Sequence, residues 1–256
     1  MGLRIAICQS NAVTGEVGIN LNRALSILSQ TKADVYVFPE LFLTGYGADY
    51  KSVESEVQYA LDKLRIRCME MDIAIVMGAP AYLPDGMRNS LYFITHKGAD
   101  RYDKLYLAKF GVYSEDAFVP GKIPVIGEFK GMKFGLSICY DIFFPEIYRN
   151  YAVSGADVNI CIAASAGPSR EYLERILPAR SLENVIYTLF VNNISDFGDQ
   201  RFYGRSRLLG PLGNVLTETG GGEEIVCTYV DHAVVENARK ERRHLADLRK
   251  DIHWNA

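Results

Sequence analysis

Residues 132–146 read Met132-Lys-Phe-Gly-Leu-Ser-Ile-Cys-Tyr-Asp-Ile-Phe-Phe-Pro-Glu146. The apolar run reads as a buried strand ending at Cys139, and Pro145 stands where a helix can begin, because a missing N–H costs nothing at the first helical position. A thiol at the carboxyl end of a strand, just ahead of a helix, lies where open α/β sheets bind their ligands. Against this stands the commoner fate of a free cysteine, which is to act as a small buried hydrophobe. The rest of the chain decides between the two.

Outward from this stretch, the helix from Pro145 to about Val153 leads into a strand over Asp157 to Ala164. The same unit opens the chain. Residues 3–9 form a strand, and residues 18–30 place Ile19, Leu21, Ala24, Leu25 and Leu28 at helical spacing. Asp34 to Phe38 gives the next strand, which implies a parallel pair with a right-handed crossover. A helix over Val53 to Met71 and a β-branched run over Ile73 to Ala79 follow. After the turn Pro84-Asp-Gly86, Asn89 to Thr95 and Arg101 to Leu107 form a hairpin around the turn Lys97-Gly-Ala-Asp100. Further on, a helix from Ser169 to Asn184 leads into Val185 to Val191. Gly204 to Leu209 and Val215 to Thr219 flank the turn Pro211-Leu-Gly-Asn214, and Glu223 to Val230 is a last strand before a charged helix. Strands outnumber helices, and the helices come in β-α-β rounds. The pattern predicts an α/β protein of four layers, an α-β-β-α sandwich with two mixed sheets face to face and helices outside. No internal repeat, low-complexity segment or linker interrupts it, so residues 1–256 are expected to form a single domain.

The formal net charge of −3 argues against a nucleic-acid partner, which needs clustered basic residues. The densest basic run, Arg239 to Arg243, reads as a solvated helix face. No stretch approaches the roughly 20 apolar residues that span a bilayer, and the N-terminus lacks the layout of a cleavable signal, so no membrane role is expected. The 5 cysteines, at positions 8, 68, 139, 161 and 227, are odd in number and widely spaced. They suit neither a disulfide framework nor a zinc site, and they point to a reducing, cytoplasmic setting. Gly220-Gly-Gly222 reads as a loose turn, because no helix opens directly after it.

Three apolar runs end in reactive side chains. Val35-Tyr-Val-Phe-Pro-Glu40 delivers Glu40, the hairpin delivers Lys104, and the opening stretch delivers Cys139. A thiol is mostly protonated at neutral pH, so a base must take its proton or a cation must hold the thiolate. A glutamate in an apolar pocket has a raised pKa and serves as base and then acid. An ammonium, with the backbone N–H after the nucleophile, stabilises a developing oxyanion. The alternative Cys–His pair finds little support, since none of His96, His232, His244 and His253 ends a strand. Singly, Glu40 and Lys104 read as capping or surface charges; jointly, the three make a set for attack on a carbonyl-like carbon.

These residues bring the chain to a resemblance with the nitrilase, or carbon–nitrogen hydrolase, superfamily, nearly end to end. Phe38-Pro-Glu-Leu-Phe-Leu-Thr-Gly-Tyr46 resembles the family's first motif, Arg101-Tyr-Asp-Lys-Leu-Tyr-Leu107 the second, and Gly135-Leu-Ser-Ile-Cys-Tyr-Asp-Ile-Phe-Phe-Pro-Glu146 the third. The resemblance makes Glu40 the general base, Lys104 the catalytic amine and Cys139 the nucleophile. Ser114-Glu-Asp-Ala-Phe-Val-Pro-Gly121 adds Glu115, either an additional active-site carboxylate or a loop cap. Ala179-Arg-Ser-Leu-Glu-Asn184 and Phe202-Tyr-Gly-Arg-Ser206 are further matches. Lys109 competes for the amine's role, but Lys104 has the better spacing from Tyr102 and Glu115.

Tyr106 stands where many members carry histidine. Ile160-Cys-Ile-Ala-Ala-Ser165 is more apolar than the Asn-Pro-Ser type, so the pocket wall at Ala164 differs, and Cys161 reads as packing. Cys139-Tyr-Asp141 resembles amidase-like members more than nitrilases, and Gly111-Val-Tyr-Ser-Glu115 resembles the glutaminase portion of synthetases. The resemblance implies hydrolysis of a small amide through a cysteine thioester, no metal or organic cofactor, and a homodimer or larger homo-oligomer. Carbamoyl-amino-acid hydrolysis, nitrile hydrolysis and a catalytically silent binding scaffold are the alternatives. Phe42, Tyr46, Tyr113, Phe143 and Phe144 are candidate aromatic pocket walls that read equally as core; Tyr140 joins them, and its backbone N–H follows the nucleophile.

Overall fold

The computed structural model describes residues 2–111, 113–249 and 251–252, divided mainly between two six-stranded sheets. The first half contributes β1 (Gly2–Gln9), α1 (Val17–Gln30), β2 (Val35–Val37), α2 (Glu54–Met71), β3 (Ala74–Leu83), β4 (Gly86–Thr95) and β5 (Gly98–Asp103). The second half contributes β6 (Ile126–Phe129), β7 (Met132–Ile138), α3 (Pro145–Val153), β8 (Val158–Ala163), α4 (Arg170–Leu182) and β9 (Tyr187–Asn192). It continues with β10 (Asp196–Phe197), β11 (Gln200–Arg201), β12 (Arg207–Leu209), β13 (Val215–Glu218), β14 (Glu224–Asp231) and α5 (His232–Glu241). The sheet orders are β14-β1-β2-β3-β4-β5 and β13-β12-β9-β8-β7-β6, while β10 and β11 make a small hairpin of their own. Each large sheet has a parallel centre, β1-β2-β3 or β7-β8-β9, flanked by antiparallel strands.

Strand alternation explains the layers. Leu3, Ile5, Ile7, Val35, Val37 and Val76 from one sheet meet Phe134, Leu136, Ile138, Val158, Ile160 and Ile162 from the other in one buried cluster. The intervening residues face outward. Ala6, Cys8, Tyr36, Ile75 and Met77 pack under Leu21, Ala24 and Leu28 of α1 and Val57, Ala60 and Leu64 of α2. Cys161, Ala163 and Phe190 pack under Ile147, Tyr148 and Tyr151 of α3 and Leu173 and Leu177 of α4. Because both faces of the central strands are covered, they read as near-continuous apolar runs. This is the four-layer sandwich expected from the sequence. Among the described residues no helix is long and apolar enough to cross a membrane.

Some expectations are corrected. The β4–β5 hairpin turns at His96–Lys97 rather than over residues 97–100, with Thr95 paired to Gly98. β5 ends at Asp103, so Lys104 lies just beyond it. β6 and the β10–β11 hairpin were not expected; both are four residues or fewer per strand, too short to carry a period. Phe42 is core, packed against Phe38 on the helix side of the first sheet. Arg239 is no solvated charge, because it donates to the carbonyls of Val185 and Ala156 and so anchors α5. His232 and His244 bond to Asp157 and the Glu183 carbonyl, His96 lies 3.7 Å from Asp72, and His253 lies outside the described residues.

Candidate active site

The two strand exits that carry Glu40 and Cys139 are sharp. Leu41, next to Glu40, has φ 49°, and Cys139 itself has φ 47°. Left-handed backbone costs a residue with a Cβ about 1–2 kcal/mol, so surrounding structure must hold both bends. At the first bend, Phe38 N donates to the Val76 carbonyl and Leu43 N to the Gly78 carbonyl, clasping the turn against β3. The approach is so close that a Cβ on Gly78 would lie 2.4 Å from the Pro39 oxygen and 2.5 Å from the Leu41 nitrogen. Glycine is required there, and Glu40 is thereby set beside the middle of β3.

Lys104 arrives by strand register. Its N–H donates to the Asn89 carbonyl (2.9 Å), which extends the β4–β5 ladder by one step and puts Asn89 opposite Lys104. Opposed residues point to the same face of a sheet. Both side chains accordingly reach the same two carboxylates. Lys104 Nζ lies 2.8 Å from Glu40 Oε1 and 2.8 Å from Glu115 Oε1. Asn89 Nδ2 donates to the same oxygens at 2.7 and 3.0 Å. Glu40 Oε2 accepts from Ala164 N (2.8 Å), and Glu115 Oε2 from Ala108 N (2.7 Å). Glu115 thus caps a loop and faces the lysine at once. All four side chains of this ring are buried. Lys109, the competing amine, is exposed and paired with Asp116.

Cys139 opens a short 3₁₀ turn, Cys139–Phe143, pinned by Asp141. Asp141 Oδ2 accepts from Tyr102 OH (2.7 Å) and Ile138 N (3.0 Å), and Oδ1 accepts from Tyr106 N (2.9 Å). Tyr106 serves here through its backbone, while its ring stacks on Phe144 at 3.4 Å. Cys139 remains partly exposed, and its Sγ lies 3.4 Å from the Ser165 hydroxyl. Cys161 is buried beneath α3 and α4, as a packing residue would be.

Tyr46, Tyr113, Ala164 and Tyr140 meet in one apolar cluster with Phe197 and Phe202. Tyr46 presents its OH to Glu115 Oε1 (3.4 Å) and its ring to Phe197 (4.9 Å) and Phe202 (5.5 Å). Tyr113 OH accepts from Ala166 N at 2.7 Å. Phe143 and Phe144 belong to the other side: they pack in the cluster under α3 and α4, and their rings meet that of Tyr140. Sequence reasoning missed Asn89, Ser165 and Phe197. A surface cleft of about 630 Å³, lined by Lys51, Gln58, Tyr82, Tyr92 and Arg101 among others, contains none of these residues, so converging chemistry rather than volume marks the site.

Burial pushes the Glu40 carboxyl up; the Lys104 charge opposes that and the Glu115 charge adds to it. Burial pushes the Lys104 ammonium down, but the two carboxylates outweigh it and hold the ammonium well above its ordinary range. Two carboxyl groups around one ammonium carry a surplus negative charge when all are ionised, so the ring readily accepts one proton. Burial likewise pushes the Cys139 thiol well up, with Glu40 adding to it and Lys104 opposing. Asp141 is raised by burial to about 7, against the pull of Lys104 and its three donors.

A buried acid–amine–acid ring near a strand-end thiol can support nucleophilic attack on a carbonyl-like carbon. The carbon–nitrogen hydrolase family model matches residues 4–240. The chain therefore belongs to the carbon–nitrogen hydrolase family. It is 30% identical to a nitrilase from Pyrococcus abyssi, with 97% of each chain covered. It is 28% identical to a mutant of the amidase from Nesterenkonia sp. AN1 solved in complex with butyramide, with a TM-score of 0.80 and 94% of this chain and 96% of that one covered. It is also 28% identical to the glutamine-dependent NAD(+) synthetase of Aquifex aeolicus, of which it covers 45% against 96% of itself.

Proposed function

We propose that this carbon–nitrogen hydrolase cleaves small amides through a thioester on Cys139. Glu40 takes the thiol proton, and Sγ attacks the amide carbon. The electron pair displaced onto oxygen is held by Lys104 Nζ and the Tyr140 N–H. The C–N bond then breaks as Glu40 returns its proton to the nitrogen, which leaves as ammonia or an amine. A water molecule gives a proton to Glu40 and attacks the thioester. The C–S bond breaks, acid is released, and the proton returns to Cys139. Glu115 and Asn89 keep Lys104 and Glu40 in place throughout. Tyr46, Tyr113, Tyr140 and Ala164 line the acyl pocket, with Phe143 and Phe144 behind Tyr140. No metal or organic cofactor enters these steps.

The observation that carries this reading is the Lys104 ammonium, 1% exposed and 2.8 Å from each of two buried carboxylates, at the strand ends where Cys139 emerges. A purely structural protein gains little from such a ring, since enclosing charge costs more than apolar packing does. The butyramide bound to a related amidase supports a short aliphatic amide as substrate. The same reading takes residues 1–256 as one hydrolase domain working as a homodimer or larger homo-oligomer, which light scattering checks. The direct test is ammonia release from short aliphatic amides, glutamine, carbamoyl-amino acids and nitriles, with Cys139→Ala as control. Turnover of aliphatic amides that vanishes in the variant is expected; turnover of only another class redirects the substrate, and turnover surviving in the variant overturns the mechanism.

A further inference from the structure

Once deprotonated, Cys139 faces opposing influences: burial and the Glu40 charge work against the thiolate, while Lys104 works for it. One hydroxyl touches the sulfur, Ser165 Oγ at 3.4 Å. Ser165 is buried, and among the described residues no other group bonds to that hydroxyl. Its main chain is gripped on both sides by one side chain. Ser165 N donates to Asn192 Oδ1 (2.8 Å), and Asn192 Nδ2 donates to the Ser165 carbonyl (3.1 Å). Asn192 N in turn donates to Ser206 Oγ (2.9 Å), and the Ser206 hydroxyl donates to Gln9 Oε1 (2.8 Å) at the end of β1. A buried polar relay therefore runs from β1 in one sheet to the sulfur at the end of β7 in the other. Unpaired members of such a relay are costly, which fixes each link in place.

We propose that Ser165 holds the Cys139 thiolate by donating its hydroxyl hydrogen to Sγ, and that the Asn192–Ser206–Gln9 relay fixes the hydroxyl's position. The inference rests on Cys139 being the nucleophile. No bond is broken in the step: the Ser165 proton stays on oxygen, the thiol proton has gone to Glu40, and the hydrogen bond is charge-assisted and so among the stronger kind. Forming the S–C bond removes the charged acceptor, and the interaction weakens until the thiolate is regenerated.

Alkylation by iodoacetamide tests this without any turnover. The rate of carboxamidomethylation at Cys139 is measured across pH by peptide mass spectrometry in wild type, Ser165→Ala, Ser165→Thr and Ser206→Ala, with the partly exposed Cys227 as internal reference. Loss of one charge-assisted hydrogen bond predicts an upward shift of about one pH unit in the Cys139 profile of Ser165→Ala and about tenfold slower alkylation at neutral pH. Ser165→Thr is expected to restore the wild-type profile. Ser206→Ala, which leaves the hydroxyl in place but loosens the relay, is expected to shift in the same direction by less. Should Ser165→Ala fail to fold, Ser206→Ala decides alone. A folded variant lacking the hydroxyl with an unchanged profile, or an unshifted Ser206→Ala, overturns the proposal. Because the readout needs no amide, its failure leaves the hydrolase reading standing, and failure of amide turnover leaves this result interpretable.

Discussion

At the end of β2 the chain bends through Leu41 and delivers a carboxyl group that is fully buried and bonded at both oxygens. At the end of β7 it bends through Cys139 and delivers a thiol that stays partly exposed, with one hydroxyl as partner. The same backbone device thus serves opposite needs. In the proposed mechanism Glu40 holds charge and exchanges a proton, and it is enclosed and paired, because unpaired charge in the interior is prohibitively costly. Cys139, which meets substrate in the proposed mechanism, is left open on one side, and its bend is braced by Asp141.

Removing the cation from the enclosed end is expected to have the largest effect. Lys104→Met leaves two buried carboxyl groups facing one another, and stability should fall by about 3–5 kcal/mol in a denaturant titration. Cys139→Ala removes a small group at the open end and should cost about 1 kcal/mol or less. Equal losses would remove the contrast.

Asp141 gives the next effect, through pH. Burial raises it from 3.8 to about 7, so between those values the folded chain keeps a proton that the unfolded chain has released. Stability therefore falls as pH rises through that window. Asp141→Asn, which has no proton to lose, should show a flatter profile there, though it is less stable overall because its amide faces N–H donors. The denaturation midpoint against pH measures both.

Glu115→Gln sharpens the enclosed end. The Glu115 charge raises Glu40, so removing it should lower the Glu40 pKa and move the acid limb of kcat/KM to lower pH. A limb that stays in place would assign it to another group. The smallest effect is at the bend itself: Cys139→Gly should be about 1 kcal/mol more stable than Cys139→Ala, since glycine accepts φ 47° without penalty.

Much of this comparison is visible in the sequence. Apolar runs that stop at Glu40 and Cys139 announce both strand ends, and their β-α-β setting announces the layers. Asn89 was hidden by register. A turn over residues 97–100 sets Phe93 opposite Lys104, whereas the observed His96–Lys97 turn sets Asn89 there. Gly98, at φ 142°, misleads because it takes its unusual backbone at the first paired position instead of within the turn. Ser165 and its relay are joined only through tertiary contacts from strands far apart in the chain, and no local pattern marks a hydroxyl that faces a sulfur. Phe197 sits on two-residue strands, where periodicity carries no information.

The central claim is that Cys139 carries the acyl group. Wild type and Glu40→Gln are mixed with butyramide, quenched in acid within the first turnovers, and examined as intact protein and as peptides by mass spectrometry. A butyryl adduct confined to the Cys139 peptide is expected in wild type, with near absence in Glu40→Gln. Butyramide hydrolysis that proceeds at an undiminished rate in Cys139→Ala, with no acylated peptide in wild type, would contradict it.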